Sequence, residues 1–117
     1  MTDDATDTRL AVYGTLGPGR ANHHVLAPLG GRWLAGQVRG RLIQSGWGAA
    51  MGYPGIVLDP GAGTVAVDLL VSPALAAQWG RLDAFEGEGY RRVVTEVATA
   101  EGALTAWIYE VVQPDGA

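Results

Sequence analysis

Glu86 is the side chain whose surroundings read most directly as chemistry. It closes the stretch Leu82-Asp83-Ala84-Phe85-Glu86, and Gly87-Glu88-Gly89 and Tyr90-Arg91-Arg92 follow at once. An acid in the last turn of a helix opposes the macrodipole, so stability would not choose it there. A local rule broken at one point can mark a functional site. Burial beside Phe85 and a tyrosine would raise a carboxyl pKa toward neutrality and suit it to proton transfer. The same residues also read as solvated surface acids, Glu86 and Glu88, with Tyr90 an anchor at a strand start. The second stretch is Leu10-Ala11-Val12-Tyr13-Gly14-Thr15-Leu16-Gly17-Pro18-Gly19. An apolar run meets a tyrosine and breaks into a loop rich in glycine. Successive backbone N–H groups in such a turn make a concave site for a carboxylate or an oxyanion. Local chemistry alone leaves it equally an ordinary strand-end turn. The loop has neither the Gly-x-Gly-x-x-Gly fingerprint nor the Walker pattern, and the chain has no lysine.

The elements that must position these residues are mostly extended. Arg9 to Tyr13 reads as a first strand. Arg20 to Leu26 reads as a short helix stopped near Pro28 and Gly30-Gly31. Trp33 to Gln44 is extended, and its glycines at 36 and 40 suit a bulge or tight bend in a curved sheet. Ile56-Val57-Leu58 is a short apolar run, and Asp59 to Gly63 is a hairpin-like loop. Thr64 to Val71 is the best strand signal in the chain. One helix is well marked: Ser72 as N-cap, Pro73 at the first helical position, and Leu75, Trp79, Leu82 and Phe85 toward a core. Gly87 and Gly89 end it. Arg91 to Thr99 and Leu104 to Val112 complete the strands. The fold class expected is α+β: a small mixed or antiparallel β-barrel with flanking helices.

Composition sets the bounds. The 117 residues fit one domain, expected over residues 9–113 behind a loose acidic tail at 1–8. A net charge of −4 without a basic run argues against a nucleic-acid partner. There is no cysteine, hence no thiol catalysis and no thiolate metal site. His23-His24 do not share a helix face and have no neighbouring acid in sequence, so no metal site is expected. No basic-apolar leader and no run of transmembrane length appears, so a soluble cytoplasmic protein without a membrane partner is the expectation. Trp33, Trp47, Trp79 and Trp107 read as core or pocket-rim residues.

Taken together, the two stretches resemble the γ-glutamylcyclotransferase-like family, which includes the γ-glutamylamine cyclotransferases and the AIG2-like proteins. Val12-Tyr13-Gly14-Thr15-Leu16, followed by Gly19 and Asn22-His23, resembles its opening. Leu82-Asp83-x-Phe85-Glu86-Gly87 and Tyr90-x-Arg92 resemble its second signature, and Tyr53-Pro54 falls where members often carry that pair. The Gly87-Glu88-Gly89 spacer is shorter than in many members. The resemblance covers about residues 10–112 and implies a small β-barrel with flanking helices. It implies an enzyme that releases 5-oxoproline from a γ-glutamyl amine or γ-glutamyl amino acid, without metal or organic cofactor. By resemblance Glu86 is the general acid/base. The Tyr13-Gly14-Thr15-Leu16 loop holds the γ-glutamyl group through its backbone, and Tyr53 and Tyr90 line the pocket. The alternative is a non-catalytic member that uses the same pocket to bind a small metabolite or a partner.

Overall fold

The computed structural model describes residues 4–13, 26–43, 55–87 and 89–111. Six strands are described: β1 (Arg9–Val12), β2 (Arg32–Ile43), β3 (Gly55–Leu58), β4 (Thr64–Val71), β5 (Tyr90–Thr99) and β6 (Gly102–Val111). They are hydrogen-bonded in the order β3-β2-β4-β1-β6-β5, and β2 also pairs with β5. That last pairing closes β2, β4, β1, β6 and β5 into a barrel, as the strand-rich sequence led one to expect. The barrel is mixed because β1 runs parallel to β6, with Leu10 opposite Trp107, while the other pairs are antiparallel.

β2 makes the closure possible. It pairs with β4 from Arg32 to Arg39, meets β5 at Gly36 and Gln37, and continues beside β3 from Gly40 to Ile43. A Cβ on Gly36 would lie 2.6 Å from Val97 Cγ1, and one on Gly40 would lie 2.6 Å from the Val57 carbonyl oxygen. Only glycine lets neighbouring strands approach so closely at the seam. Asp59 to Gly63 is not the hairpin loop its composition suggested. β3 and β4 both run antiparallel to β2 but pair with its opposite edges: Asp59 N–H donates to the Arg39 carbonyl on one side, and Gly40 N–H donates to the Gly63 carbonyl on the other. The loop between them is an Asx turn, with Gly61 N–H donating to Asp59 Oδ1 at 2.9 Å.

Alternation along the strands gives two cores. One fills the barrel: Ala11, Val38, Ile56, Val67, Leu69, Val97, Ala106 and Ile108. The residues between them on β1, β4 and β6 point outward and form the second: Leu10, Val12, Leu70 and Tyr109, packed under Leu75, Trp79 and Leu82. The covering segment starts as expected, with Ser72 Oγ accepting from Ala74 N–H. It is then a 3-10 turn, Pro73–Ala77, and only after Gln78 the helix α1, Trp79–Glu86. Gly87, at φ 81°, closes α1 by donating its N–H to the Asp83 carbonyl. Because α1 begins at Trp79, its inward face runs Trp79, Leu82, Asp83, Glu86. Phe85 is left off that face and is 45% exposed, contrary to the expectation that it joins the core.

Asp4–Thr8 is a 3-10 turn where the sequence suggested a loose tail. Asp7 accepts hydrogen bonds from Trp79 Nε1 at its carbonyl (3.1 Å) and from Trp107 Nε1 at Oδ1 (2.8 Å). No helix among the described residues is long and apolar enough to cross a membrane.

Candidate active site

The strand directions bring one set of ends together. The C-terminal ends of β1, β2 and β6 and the N-terminal ends of β4 and β5 share one rim of the barrel. α1 crosses outside the barrel and delivers Glu86 to that rim. Burial pushes the Glu86 carboxyl from the ordinary 4.5 up to about 7. Among the described residues no hydrogen bond or ion pair offsets that desolvation, so the neutral and charged forms are nearly balanced at neutral pH.

Tyrosines from three strand ends surround it. The negative charge on Glu86 raises the pKa of Tyr13 at the end of β1, Tyr90 at the start of β5 and Tyr109 on β6, in each case after the larger effect of burial. Tyr13 is tied into the frame. Its hydroxyl donates to the Tyr109 carbonyl oxygen at 2.7 Å and accepts from Ile56 N–H at 3.2 Å. Glu110 does the same one step along. Its Oε2 accepts from Leu58 N–H at 2.9 Å, and its Oε1 accepts from Arg91 Nε at 3.3 Å and Nη2 at 3.2 Å. Ile56 and Leu58 are the β3 residues whose N–H groups point away from β2. Two inward side chains therefore do for the outer edge of β3 what a further strand would do.

Tyr109 turns its hydroxyl outward and donates to Asp83 Oδ1 at 2.7 Å. Beside this contact lies a groove of about 660 Å³, lined among others by Asp83, Ala84, Gly87, Tyr90 and Tyr109. A carboxyl near neutral pKa, largely buried at the rim of the barrel, can both take and give a proton. Among the described residues no group of three His, Asp or Glu converges as metal ligands would.

Of the residues singled out in the sequence, Glu86, Tyr13 and Tyr90 come together at this rim. Gly14, Thr15, Leu16 and Tyr53 lie outside the described residues, as do His23, His24 and Trp47. Tyr13 immediately precedes the first three, and Gly55 at the start of β3 follows two residues after Tyr53, so both segments attach at the same rim. Three participants were not read from the sequence: Glu110, Tyr109 and Asp83. Two had a signal. In β6 the inward alternation Leu104, Ala106, Ile108 continues to Glu110, an acid at a core position. In α1 the spacing Trp79, Leu82, Asp83, Glu86 puts two acids on the inward face. Tyr109 had none, since an outward tyrosine on a strand is ordinary until a helix is laid over it.

The sequence profile described as "Gamma-glutamyl cyclotransferase, AIG2-like" matches residues 10–117. Among solved structures the chain is similar to YkqA from Bacillus subtilis, at 28% identity and a TM-score of 0.69 over 89% of this chain. It spans only 35% of YkqA's own length. It is also similar to PH0828 from Pyrococcus horikoshii, at 28% identity and a TM-score of 0.61, covering 93% of this chain and 82% of that one. An AIG2-like protein from Mus musculus shares the fold at 22% identity and a TM-score of 0.63, covering 93% of this chain and 80% of that one. Comparison with curated proteins gave no match.

Proposed function

Since this chain belongs to the gamma-glutamyl cyclotransferase, AIG2-like family, we propose that it releases 5-oxoproline from a γ-glutamyl amine or γ-glutamyl amino acid, acting on a small soluble substrate in the cytoplasm. The observation that carries this reading is the desolvated Glu86 carboxyl, balanced near neutrality at the rim where the loop from Gly14 begins.

The reaction is an intramolecular aminolysis. The substrate's α-amine attacks its own γ-carbonyl carbon, a C–N bond closes the five-membered ring, and the bond to the leaving nitrogen breaks. Orientation supplies much of the acceleration, because both reacting groups are on one molecule. The amine must first lose a proton. An ordinary carboxylate is weaker than an α-amine by about 3.5 pKa units, a deficit of roughly 5 kcal/mol. At about 7, Glu86 reduces that to roughly one unit, near 1 kcal/mol. Each proton lost by the attacking nitrogen is matched by one gained at the leaving nitrogen. A single carboxyl that passes protons from one to the other therefore completes the balance.

Gly14, Thr15 and Leu16 hold the γ-glutamyl group in this proposal, their backbone N–H groups taking either the substrate carboxylate or the oxyanion of the tetrahedral intermediate. Tyr13 supports that role by fixing the start of the loop to β3 and β6. Tyr53 and Tyr90 line the pocket. The test is 5-oxoproline release from a panel of γ-glutamyl amines, γ-glutamyl dipeptides and glutathione by the wild-type protein. Release from at least one that disappears in Glu86→Gln supports the reading. No release from any, by a folded protein, overturns it in favour of a binding role.

A further inference from the structure

Arg92 lies on the outward face of β5, beneath α1, and three side chains hold it. Its Cζ sits 4.6 Å from the ring centroid of Trp79 and 4.4 Å from that of Trp107, and these two rings are 6.1 Å apart. Its Nε and Nη2 make a fork onto Asp83 Oδ1 and Oδ2 at 2.8 and 3.1 Å. Tyr109 donates to the same Asp83 Oδ1. Both indole N–H groups bind Asp7, so the stack is itself anchored to the turn before β1.

From this geometry we infer that Arg92 is a positioning residue for Glu86: the cation seated over the faces of both Trp79 and Trp107 and forked onto Asp83 sets the pitch of α1 on the barrel and so fixes where the Glu86 carboxyl lies. The inference rests on the catalytic reading of Glu86 given above. α1 spans only eight residues, too short to hold its form without tertiary contacts. Trp79 and Leu82 are its buried side chains, and both lie in its first half. Asp83 is the next contact along, and its carbonyl also receives the capping Gly87 N–H. Trp79, Asp83 and Glu86 follow one another on a single helix face. One guanidinium thus grips two points of that face, and the third lies a turn beyond.

The role requires arginine. A planar guanidinium can stack on an aromatic face and reach both carboxylate oxygens at once, whereas a lysine ammonium does neither in that geometry. The Asp83 carboxyl is held below its ordinary pKa, chiefly by Arg92 and next by Tyr109, so the grip is in its charged form throughout the neutral range.

The test compares wild type, Arg92→Lys and Asp83→Asn. Arg32→Lys serves as the control, since it breaks another forked Arg–carboxylate pair, with Glu101, at the opposite end of the barrel. The first readout needs no turnover: the Glu86 side-chain carboxyl is titrated by carbon NMR. Among the described residues the ionisable groups around it are Tyr13, Tyr90 and Tyr109, each with its pKa raised further from neutrality, so against these neighbours the midpoint reports on hydration of Glu86. In both site variants the midpoint should fall from near 7 by one unit or more as water reaches the displaced carboxyl, while Arg32→Lys keeps it. The second readout is kinetic: kcat should fall about 10–100-fold with KM within about threefold, the cost of a small misplacement of a reacting group. The rising limb of the pH–rate profile should shift down with the titration. Should Arg92→Lys not fold, Asp83→Asn is read in its place, since it keeps the shape of the side chain. A wild-type midpoint and kcat in a folded Arg92→Lys or Asp83→Asn protein overturns the inference. Absence of turnover in the wild type removes the catalytic reading instead, and the NMR midpoint still decides the positioning.

Discussion

Two glutamates stand at the same rim of this barrel and live under opposite conditions. Glu110 points into the barrel and is only 8% exposed. Leu58 N–H and the Arg91 guanidinium satisfy its oxygens, so it is part of the frame. Glu86 comes from the helix outside, loses water, and gains no donor among the described residues. Burial with partners makes a carboxylate structural; burial without them leaves one that exchanges its proton near pH 7. The site thus depends on what the fold withholds from Glu86 as much as on what it brings near.

The sharpest way to break the contrast is to remove the exchangeable proton. Glu86→Gln keeps the shape but should lower turnover by about 10²–10⁴-fold, with substrate still bound; a folded variant with near-normal 5-oxoproline release would take Glu86 out of the mechanism. The same variant tests the cost of bare burial. The folded pKa lies above the unfolded one, so the fold loses stability as pH rises from about 4.5 to about 7. The loss reaches on the order of 3 kcal/mol above that window. Glu86→Gln should therefore melt higher than wild type at pH 8, by on the order of 10 °C. The gap should close by pH 4, where both proteins are neutral at this position. Equal melting temperatures at pH 8 would mean that Glu86 is hydrated.

Glu110 should answer in the other currency. Glu110→Ala strips Leu58 N–H and Arg91 of their acceptor and should cost about 1–3 kcal/mol of stability, measured by urea unfolding. Glu110→Gln keeps an acceptor for Leu58 N–H and should cost less. Activity per folded molecule should stay within a few-fold of wild type for Glu110→Gln; a Glu86-sized loss there would erase the distinction between the two acids. Tyr13→Phe sharpens the same point with a smaller effect. It leaves Ile56 N–H and the Tyr109 carbonyl without their partner, for roughly 1 kcal/mol of stability. If the hydroxyl only holds the frame, KM and kcat change little. Glu88→Gln, outside the family motif, should change turnover least of all.

What the sequence determined by itself was local. Alternation along Thr64 to Val71 and Arg91 to Thr99, the Ser72-Pro73 start and the glycines after Glu86 each describe physics carried by a few neighbouring residues. They were enough to place the strands, the helix end and a barrel. The Phe-Glu-Gly ending was likewise legible, because motif and spacing are written along the chain. The tertiary structure decided what depends on distance across the chain. It set the start of α1 at Trp79 rather than Pro73, which turned Glu86 inward and Phe85 out. It made the Asp59 to Gly63 loop a crossing from one edge of β2 to the other rather than a hairpin, because β2 lies between β3 and β4. It also decided which buried acid would be paired. Glu110 meets Leu58 across 52 residues of sequence, and no local pattern encodes whether a donor will be waiting at that separation. The pKa of Glu86 follows from the same cause, since desolvation is a property of what packs around a group and not of its neighbours in the chain.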